Sequence, residues 1–273
     1  MNKPKIALTI AGTDPTGGAG VMADLKSFHA CGVYGMAAIT SIVAQNTKGV
    51  QHIHNLDITW LKEQLDSVFD DELPQAIKTG MIATKEMMEL IRSFLEQHPD
   101  IPYVIDPVML AKSGDALMDD QGKHALQSIL LPLADVATPN LPEAEEIVGF
   151  KLDSEDAIKK AGKVFIEDIG CKGVVIKGGH IENDAIAKDY LFTKEGLEVF
   201  ESERYDTKHT HGTGCTFSAV IAAELAKGKS IYDAVKKAKD FIALSIKYTP
   251  EIGQGRGPVN HFAYMKKVGL DDE

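Results

Sequence analysis

Short apolar runs alternate along this chain with stretches in which apolar residues return every three or four positions. Ile6-Ala7-Leu8-Thr9-Ile10 reads as a strand closed by Gly12, and Val21, Leu25 and Phe28, at i, i+4 and i+7, mark the inward stripe of a following helix. Residues 36–44 are apolar and β-branched, Ala76-Ile77-Lys78-Thr79-Gly80 is a strand running into a turn, and Met88, Ile91 and Leu95 form a helical stripe. Tyr103-Val104-Ile105 precedes Asp106-Pro107, a helix passes through Leu126 and Leu130, and residues 136–138 read as a strand. A helix opens near Asp153 and Ser154 with Ile158, Ala161 and Phe165 inward, and Val174-Val175-Ile176 leads into Lys177-Gly178-Gly179. Near-continuous apolar strands between amphipathic helices predict an α/β fold of three layers (αβα), with a mostly parallel central sheet flanked by helices on both faces.

Residues 189–205 break the pattern and read as two strands around Lys194-Glu195-Gly196, a small antiparallel hairpin at the sheet edge. Two helices follow, over residues 216–227 and 231–248, the second opened by Ser230 and Asp233 as a capping box in which Asp replaces Glu. No repeat, low-complexity tract or linker interrupts the chain, which predicts one domain over residues 1–273.

Composition narrows the function classes. With 29 Lys and Arg against 40 Asp and Glu, the formal charge is −11, and no basic run is present. A nucleic-acid binder draws affinity from a basic face that neutralises phosphates, so nucleic acid is not an expected partner. The three cysteines, Cys31, Cys171 and Cys215, form no C-x-x-C pair, which suggests neither a disulfide framework nor a structural zinc site and fits a reducing cytoplasm. Residues 27–47 carry no Asp, Glu, Lys or Arg, but Gly32, Gly35, Gln45 and Asn46 make the stretch costly in lipid. It is expected as buried core, with no membrane association. The first apolar run is also too short for a signal-peptide core.

Two nucleotide motifs fail on spacing. Gly228-Lys229-Ser230 resembles the end of a P-loop, but its first glycine would fall at Ala223 and the triplet joins two helices. Gly18-x-Gly20-x-x-Ala23 fits the dinucleotide fingerprint, yet Gly18 stands too far from the strand, and no acidic residue ends the second strand. A stronger signal is His211-Gly212-Thr213-Gly214-Cys215-Thr216, set directly before an apolar helix. Its glycines and the helix start can turn backbone N–H groups toward an anion, such as a phosphoryl group in transfer. At a helix start Cys215 is expected to have a depressed pKa, suiting it to take a proton from a hydroxyl nucleophile. Asp106-Pro107-Val108-Met109, Thr138-Pro139-Asn140-Leu141-Pro142-Glu143 and Lys177 each follow a strand, on the sheet edge where such folds bind ligands. Asp106, Asn140 and Glu143 offer hard oxygens for magnesium, Lys177 a cation for phosphate, and Asn140 also suits a helix cap.

Taken in order, Ala11-Gly12-Thr13-Asp14, Gly17-Gly18-Ala19-Gly20, Ala23-Asp24-Leu25-Lys26, Lys78-Thr79-Gly80-Met81, Asp106-Pro107-Val108-Met109, Thr138-Pro139-Asn140-Leu141, Ile176-Lys177-Gly178-Gly179, the Gly212-to-Thr216 motif and Gly257-Pro258-Val259 resemble the hydroxymethylpyrimidine/phosphomethylpyrimidine kinases of thiamine biosynthesis, within the ribokinase superfamily. The resemblance implies ATP- and magnesium-dependent phosphorylation of 4-amino-5-hydroxymethyl-2-methylpyrimidine and then of its monophosphate, in a cytoplasmic homodimer. It implies that Gln45 reads the pyrimidine and that Gly12, Met81 and Val108 wall its pocket. Asn140, Lys177 and Thr213 would serve ATP, Asp106 and Glu143 magnesium, and Gly212 with Gly214 the anion hole, with Cys215 as base and His211 assisting it. Related pyridoxal kinases are the nearest alternative. They often carry a cysteine after Asp-Pro-Val-Met and a methionine where Gln45 stands, and this chain has neither. The small and polar residues 111–115 are expected to form a lid.

Overall fold

The computed structural model describes residues 3–109, 118, 120–178 and 185–267. β1 (Ile6–Ala11), α1 (Gly20–Ala30) and β2 (Tyr34–Ile39) are followed by β3 (Ser41–Asn46), β4 (Gly49–Asn55) and α2 (Ile58–Asp71). Next come β5 (Ala76–Thr79), α3 (Lys85–Gln97), β6 (Tyr103–Ile105), α4 (Asp120–Ala125), which continues as a π-helical turn at Leu126–Leu130, and β7 (Val136–Ala137). α5 (Leu141–Val148) and α6 (Glu155–Lys163), prolonged by a π-helical turn at Val164–Ile169, lead to β8 (Gly173–Lys177), β9 (Ile186–Thr193) and β10 (Gly196–Glu203). α7 (Thr213–Ala226), α8 (Ile231–Lys247) and α9 (Phe262–Lys267) complete the described elements.

Eight strands form one sheet in the order β10-β9-β8-β7-β6-β5-β1-β2. β2, β1, β5, β6, β7 and β8 are parallel, while β9 and β10 are the antiparallel edge hairpin expected from the sequence. Alternate strand residues serve opposite layers. Leu8, Ile77, Tyr103 and Val174 pack with the apolar faces of α2, α3, α5 and α6, whereas Ala7, Ala76, Val104 and Val175 pack with α1, α7 and α8. Period-two strands buried on both faces are what the continuous apolar runs require. β1 pairs with β2 on one side and β5 on the other, so the chain reverses its direction of travel across the sheet at β1. Open α/β folds place ligands at the carboxyl ends of strands at such a switch point. Here those ends run into Gly12 and Gly80.

The expected strand over residues 36–44 is two strands. β2 ends at Ile39, and the hydroxyl of Thr40 donates to Met81 O (2.8 Å) while Thr40 N donates to Ala11 O. Ser41 O accepts from Thr13 N, its hydroxyl donates to Asn55 Oδ1, and β3 turns away to pair with β4 as a separate antiparallel ribbon. Two buried hydroxyls at a bend, one bonded to a backbone carbonyl and one to a side-chain amide, end the run, where hydrophobicity alone does not. The charge-free stretch is accordingly only partly core: Tyr34 is 57% and Ile42 54% exposed. Neither β4 nor α2 was expected, and α7 begins at Thr213, one turn earlier than the apolar pattern implies. At α8, Ser230 caps the Asp233 N–H, but Asp233 answers the Ser230 hydroxyl and not its backbone. The full capping box lies at Asn140 and Glu143.

Candidate functional site

A cleft of about 530 Å³ opens at the switch point. Gly12 and Met81 line it from the ends of β1 and β5, Val108 and Asp106 from β6, Asn140 and Glu143 from the start of α5, and Lys177 from the end of β8. His211, Gly212, Thr213, Gly214 and Cys215 line its centre, and Gln45 enters from β3. A register shift between Ala44 and Gln45 bulges the ribbon at that point, a device that re-aims side chains. Thus each site residue named from the sequence faces one cavity. The expected lid over residues 111–115 and Gly179 lie outside the described residues.

Helix caps differ among the elements around the cleft: α5 begins there with a side-chain cap, Asn140. α2, α3, α5, α6 and α8 each have a side-chain acceptor at the N-cap, from Asp57, Thr84, Asn140, Ser154 and Ser230. α1 and α7 have none, and these two begin at the cleft, with Ala19, Gly20, Gly212 and Thr213 in its wall. A helix start without a side-chain acceptor can offer N–H groups and its positive dipole end to a bound anion; this suits α7 better than α1, where Val21 N donates to Gly12 O.

The loop between β1 and α1 is locked to the loop before α7. Asp14 accepts from Thr16 N (2.9 Å), the Thr16 hydroxyl (2.8 Å) and Ala19 N (2.8 Å), and it contacts His211 Nε2 at 2.7 Å. Burial alone would raise the Asp14 carboxyl, but the bonds to His211 and Thr16 outweigh it and hold it below the usual range. Gly212 has φ +79, and a Cβ there would stand 1.6 Å from Gly18 O, so only glycine permits the contact. His211 is therefore engaged with Asp14. Asp14 has no role visible in the sequence, because its partner His211 lies 197 residues away.

Two ion pairs flank the first turn of α7. Lys177 Nζ lies 3.2 Å from Asp106 Oδ1, which also accepts from the Thr138 hydroxyl. Burial opposes the Lys177 charge, yet Asp106 and Glu143 outweigh it and raise the ammonium above its ordinary value. Lys78 pairs with Asp24 at 2.8 and 3.0 Å, and both are fully buried. A lysine within the apolar run of β5 was the available signal for this pair. Farther along, Lys239 bonds Asp189 (2.8 Å) beside the apolar Ile242, Ala243 and Ile246 of α8, all in the cleft wall.

The expected depression of the Cys215 pKa is overturned. Burial pushes the thiol up to about 11, against the pull of Lys78 and a backbone hydrogen bond from Gly20. Desolvation disfavours the thiolate more than the helix start favours it. The carboxylates are also busier than composition implies. Glu143 Oε2 accepts from Asn140 N, and Asn140 Oδ1 accepts from Glu143 N. Among the described residues no group of three or more His, Cys, Asp or Glu could hold a metal. Asp106 and Glu143 nevertheless put two carboxylates in the cleft wall, a donor set that fits magnesium held with nucleotide phosphates.

An anion-ready helix start between an apolar slot with two lysines and a small glycine-walled pocket defines a small-molecule kinase of the ribokinase-like fold. The model of one protein family, phosphomethylpyrimidine kinase, matches residues 14–260, and the chain belongs to that family. It is 74% identical over 273 residues to the hydroxymethylpyrimidine/phosphomethylpyrimidine kinase of Staphylococcus aureus (strain MRSA252), covering 100% of this chain and 99% of the relative. The phosphomethylpyrimidine kinase of Clostridium difficile 630 is similar in structure, with TM-score 0.79, 41% identity, and coverage of 89% of this chain and 99% of that one. An ADP complex of Bacillus subtilis pyridoxal kinase aligns with TM-score 0.89 and 41% identity, over 96% of this chain and 98% of that one.

Proposed function

We propose that this chain, acting as one domain over residues 1–273, transfers the terminal phosphoryl group of ATP first to the hydroxymethyl group of 4-amino-5-hydroxymethyl-2-methylpyrimidine and then to the resulting monophosphate. The observation that carries the reading is one cleft along the carboxyl edge of the sheet, with Gly12 and Met81 at the ends of the adjacent β1 and β5, Lys177 at the end of β8 three strands from β5, and Gln45, Cys215 and the apolar residues of α8 in the same wall. The Gln45 amide has one acceptor and two donors, which match the exocyclic amine and ring nitrogen of an aminopyrimidine. Gly12 leaves room for the ring against Met81: a Cβ at residue 12 would stand 3.3 Å from the Met81 sulfur.

In the first transfer the hydroxyl oxygen bonds to the γ-phosphorus as the bond to the bridging oxygen of ADP breaks, and the hydroxyl proton passes to the Cys215 sulfur. The loose transition state asks little of a base. With the thiol pushed up to about 11, the resting group is protonated, and turnover draws on its thiolate fraction. N–H groups at the α7 start and Lys177 face the charge on the moving phosphoryl group. Magnesium, when bound, neutralises the nucleotide phosphates. The full-length S. aureus relative supports the pyrimidine, and the ADP-bound neighbour supports a nucleotide donor. No helix among the described residues is long and apolar enough to cross a membrane, in keeping with a cytoplasmic enzyme. We read it as a homodimer.

Pyridoxal kinase is the second reading, favoured by the similarity to the B. subtilis enzyme. Purified protein with ATP and magnesium, offered hydroxymethylpyrimidine, its monophosphate or pyridoxal, decides between them. The expected result is pyrimidine diphosphate formed through the monophosphate. Transfer to pyridoxal alone overturns the reading, and pyrimidine binding without ATP consumption indicates a sensing module.

A further inference from the structure

Lys78 is an expensive residue in its position. It lies in the middle of β5, fully buried, with Nζ 2.8 and 3.0 Å from the carboxylate of Asp24 on α1. The buried hydroxyl of Thr9 on β1 closes the cluster by donating to Asp24 Oδ2 at 2.6 Å. Replacing such a pair by apolar side chains of similar volume is often neutral or stabilising, so fold stability alone gives little reason for it. Its location supplies one. A Cβ on Gly80, which lines the cleft, would sit 3.0 Å from Lys78 Nζ, so the ammonium lies directly beneath the cleft floor. Burial would strip its proton, but Asp24 outweighs burial and holds it charged.

The groups that bear on the Cys215 sulfur come from several elements. α7, whose first turn holds Cys215, packs on β5 and α1, so the charges of Lys78 and Asp24 act on the sulfur, as does that of Asp106 at the end of β6, and Gly20 supplies a backbone bond. Among these charged groups Lys78 is the cation. Lys177, on β8, is turned to Asp106, Lys239, on α8, to Asp189, and His211 to Asp14. β1 contributes the neutral Thr9. In a low-dielectric interior a neighbouring charge of this kind is weakly screened.

We propose that Lys78, fixed by Asp24 and Thr9, is a positioning residue for phosphoryl transfer that acts through Cys215, its buried ammonium favouring the thiolate that takes the hydroxyl proton. The proposal rests on the kinase reading above only for its kinetic consequence. That consequence is selective: a hydroxyl acceptor must give up a proton, whereas a phosphate monoester, with a second pKa near 6, is already ionised at pH 8. Lys78 therefore matters more in the first transfer than in the second.

The test is the pH dependence of iodoacetamide alkylation at Cys215, read by peptide mass spectrometry in the full chain, for Lys78→Met and for Lys78→Met with Asp24→Asn. The single variant leaves the Asp24 carboxylate beside the sulfur without its counter-ion, and the double variant leaves a neutral pair. At pH 8 the Cys215 rate is expected to fall about tenfold in the single variant and about threefold in the double, each tenfold being one unit of pKa. Turnover of hydroxymethylpyrimidine should fall in parallel, with turnover of its monophosphate changed less. Alkylation rates within twofold of the parent in a variant with unchanged circular dichroism overturn the proposal. So does failure of both variants to fold, which would assign the pair to stability. If alkylation shifts but no pyrimidine is phosphorylated, the kinase reading fails and the electrostatic role stands.

Discussion

The two lysine–carboxylate pairs beside α7 have similar chemistry and opposite access. Lys78 and Asp24 have no exposed surface, while the Lys177 side chain keeps 15% of its own in the cleft wall. A sealed ammonium can meet no ligand and acts only through its field. An open one can exchange its carboxylate for a phosphate, which offers the same charge-assisted bond. The same difference bears on the formal charge of −11, which at first sight disfavours anionic substrates. An acidic chain can serve anionic substrates because it places a few cations, and helix starts left without side-chain caps, around one cavity.

The largest effect expected is at the residue the sealed pair serves. Cys215→Ala should lower kcat for hydroxymethylpyrimidine by roughly 10²-fold or more, the usual scale for a general base, with a smaller loss for the monophosphate. In the parent, kcat for the first transfer should rise with pH toward the thiol value of about 11; the variant should lose that rise. Equal losses on both acceptors, read in parallel initial-rate assays, would detach Cys215 from proton transfer and dissolve the contrast between the sealed and open pairs.

A smaller effect belongs to the open pair. Lys177→Met removes the cation that can turn to nucleotide phosphate and leaves Asp106 at the cleft. Losing a hydrogen bond to a charged group costs about 1.5–3 kcal/mol, so KM for ATP should rise on the order of 10- to 100-fold, with KM for the pyrimidine nearly unchanged. Because Lys177 is screened less than a surface group but more than Lys78, its contribution should also weaken at high salt. An unchanged KM for ATP would make the open pair structural.

Much of the fold was legible because strands buried on both faces leave continuous apolar runs, and β1, β5, β6 and β8 read directly. β3 and β4 did not, since a half-exposed ribbon has neither a full apolar run nor a covered face, and the bend at Thr40 and Ser41 is made by hydroxyls that pattern reading treats as strand residues. The candidate site was legible wherever a glycine or a strand-end polar residue punctuates the pattern, as at Gly212, Asp106 and Lys177. Asp14, Asp24 and Lys78 were missed as a group because their role depends on partners far along the chain, 197 residues away for Asp14 and His211 and 54 for Asp24 and Lys78. The charge state of Cys215 was misread for a related cause: the helix start is local and visible, whereas burial by α1 and the sheet is not.

The smallest effect tests whether the acceptor end is as independent of both lysines as its composition implies. Gln45 sits on the ribbon, half-buried, with Val43 beside it in the cleft wall and no charged group of its own. Its contribution is then a pair of neutral hydrogen bonds, worth roughly 0.5–1.5 kcal/mol each. Gln45→Met keeps the side-chain length and removes the pairing groups, so KM for hydroxymethylpyrimidine should rise about tenfold while KM for ATP stays within twofold. Pyridoxal should lose less, or gain, because methionine offers it an apolar edge. Isothermal titration with the pyrimidine and, separately, with a non-hydrolysable ATP analogue reads the two ends apart. Equal weakening of both ligands would mean that the ribbon supports the whole cleft, and the division into a neutral acceptor end and a charged donor end would fail.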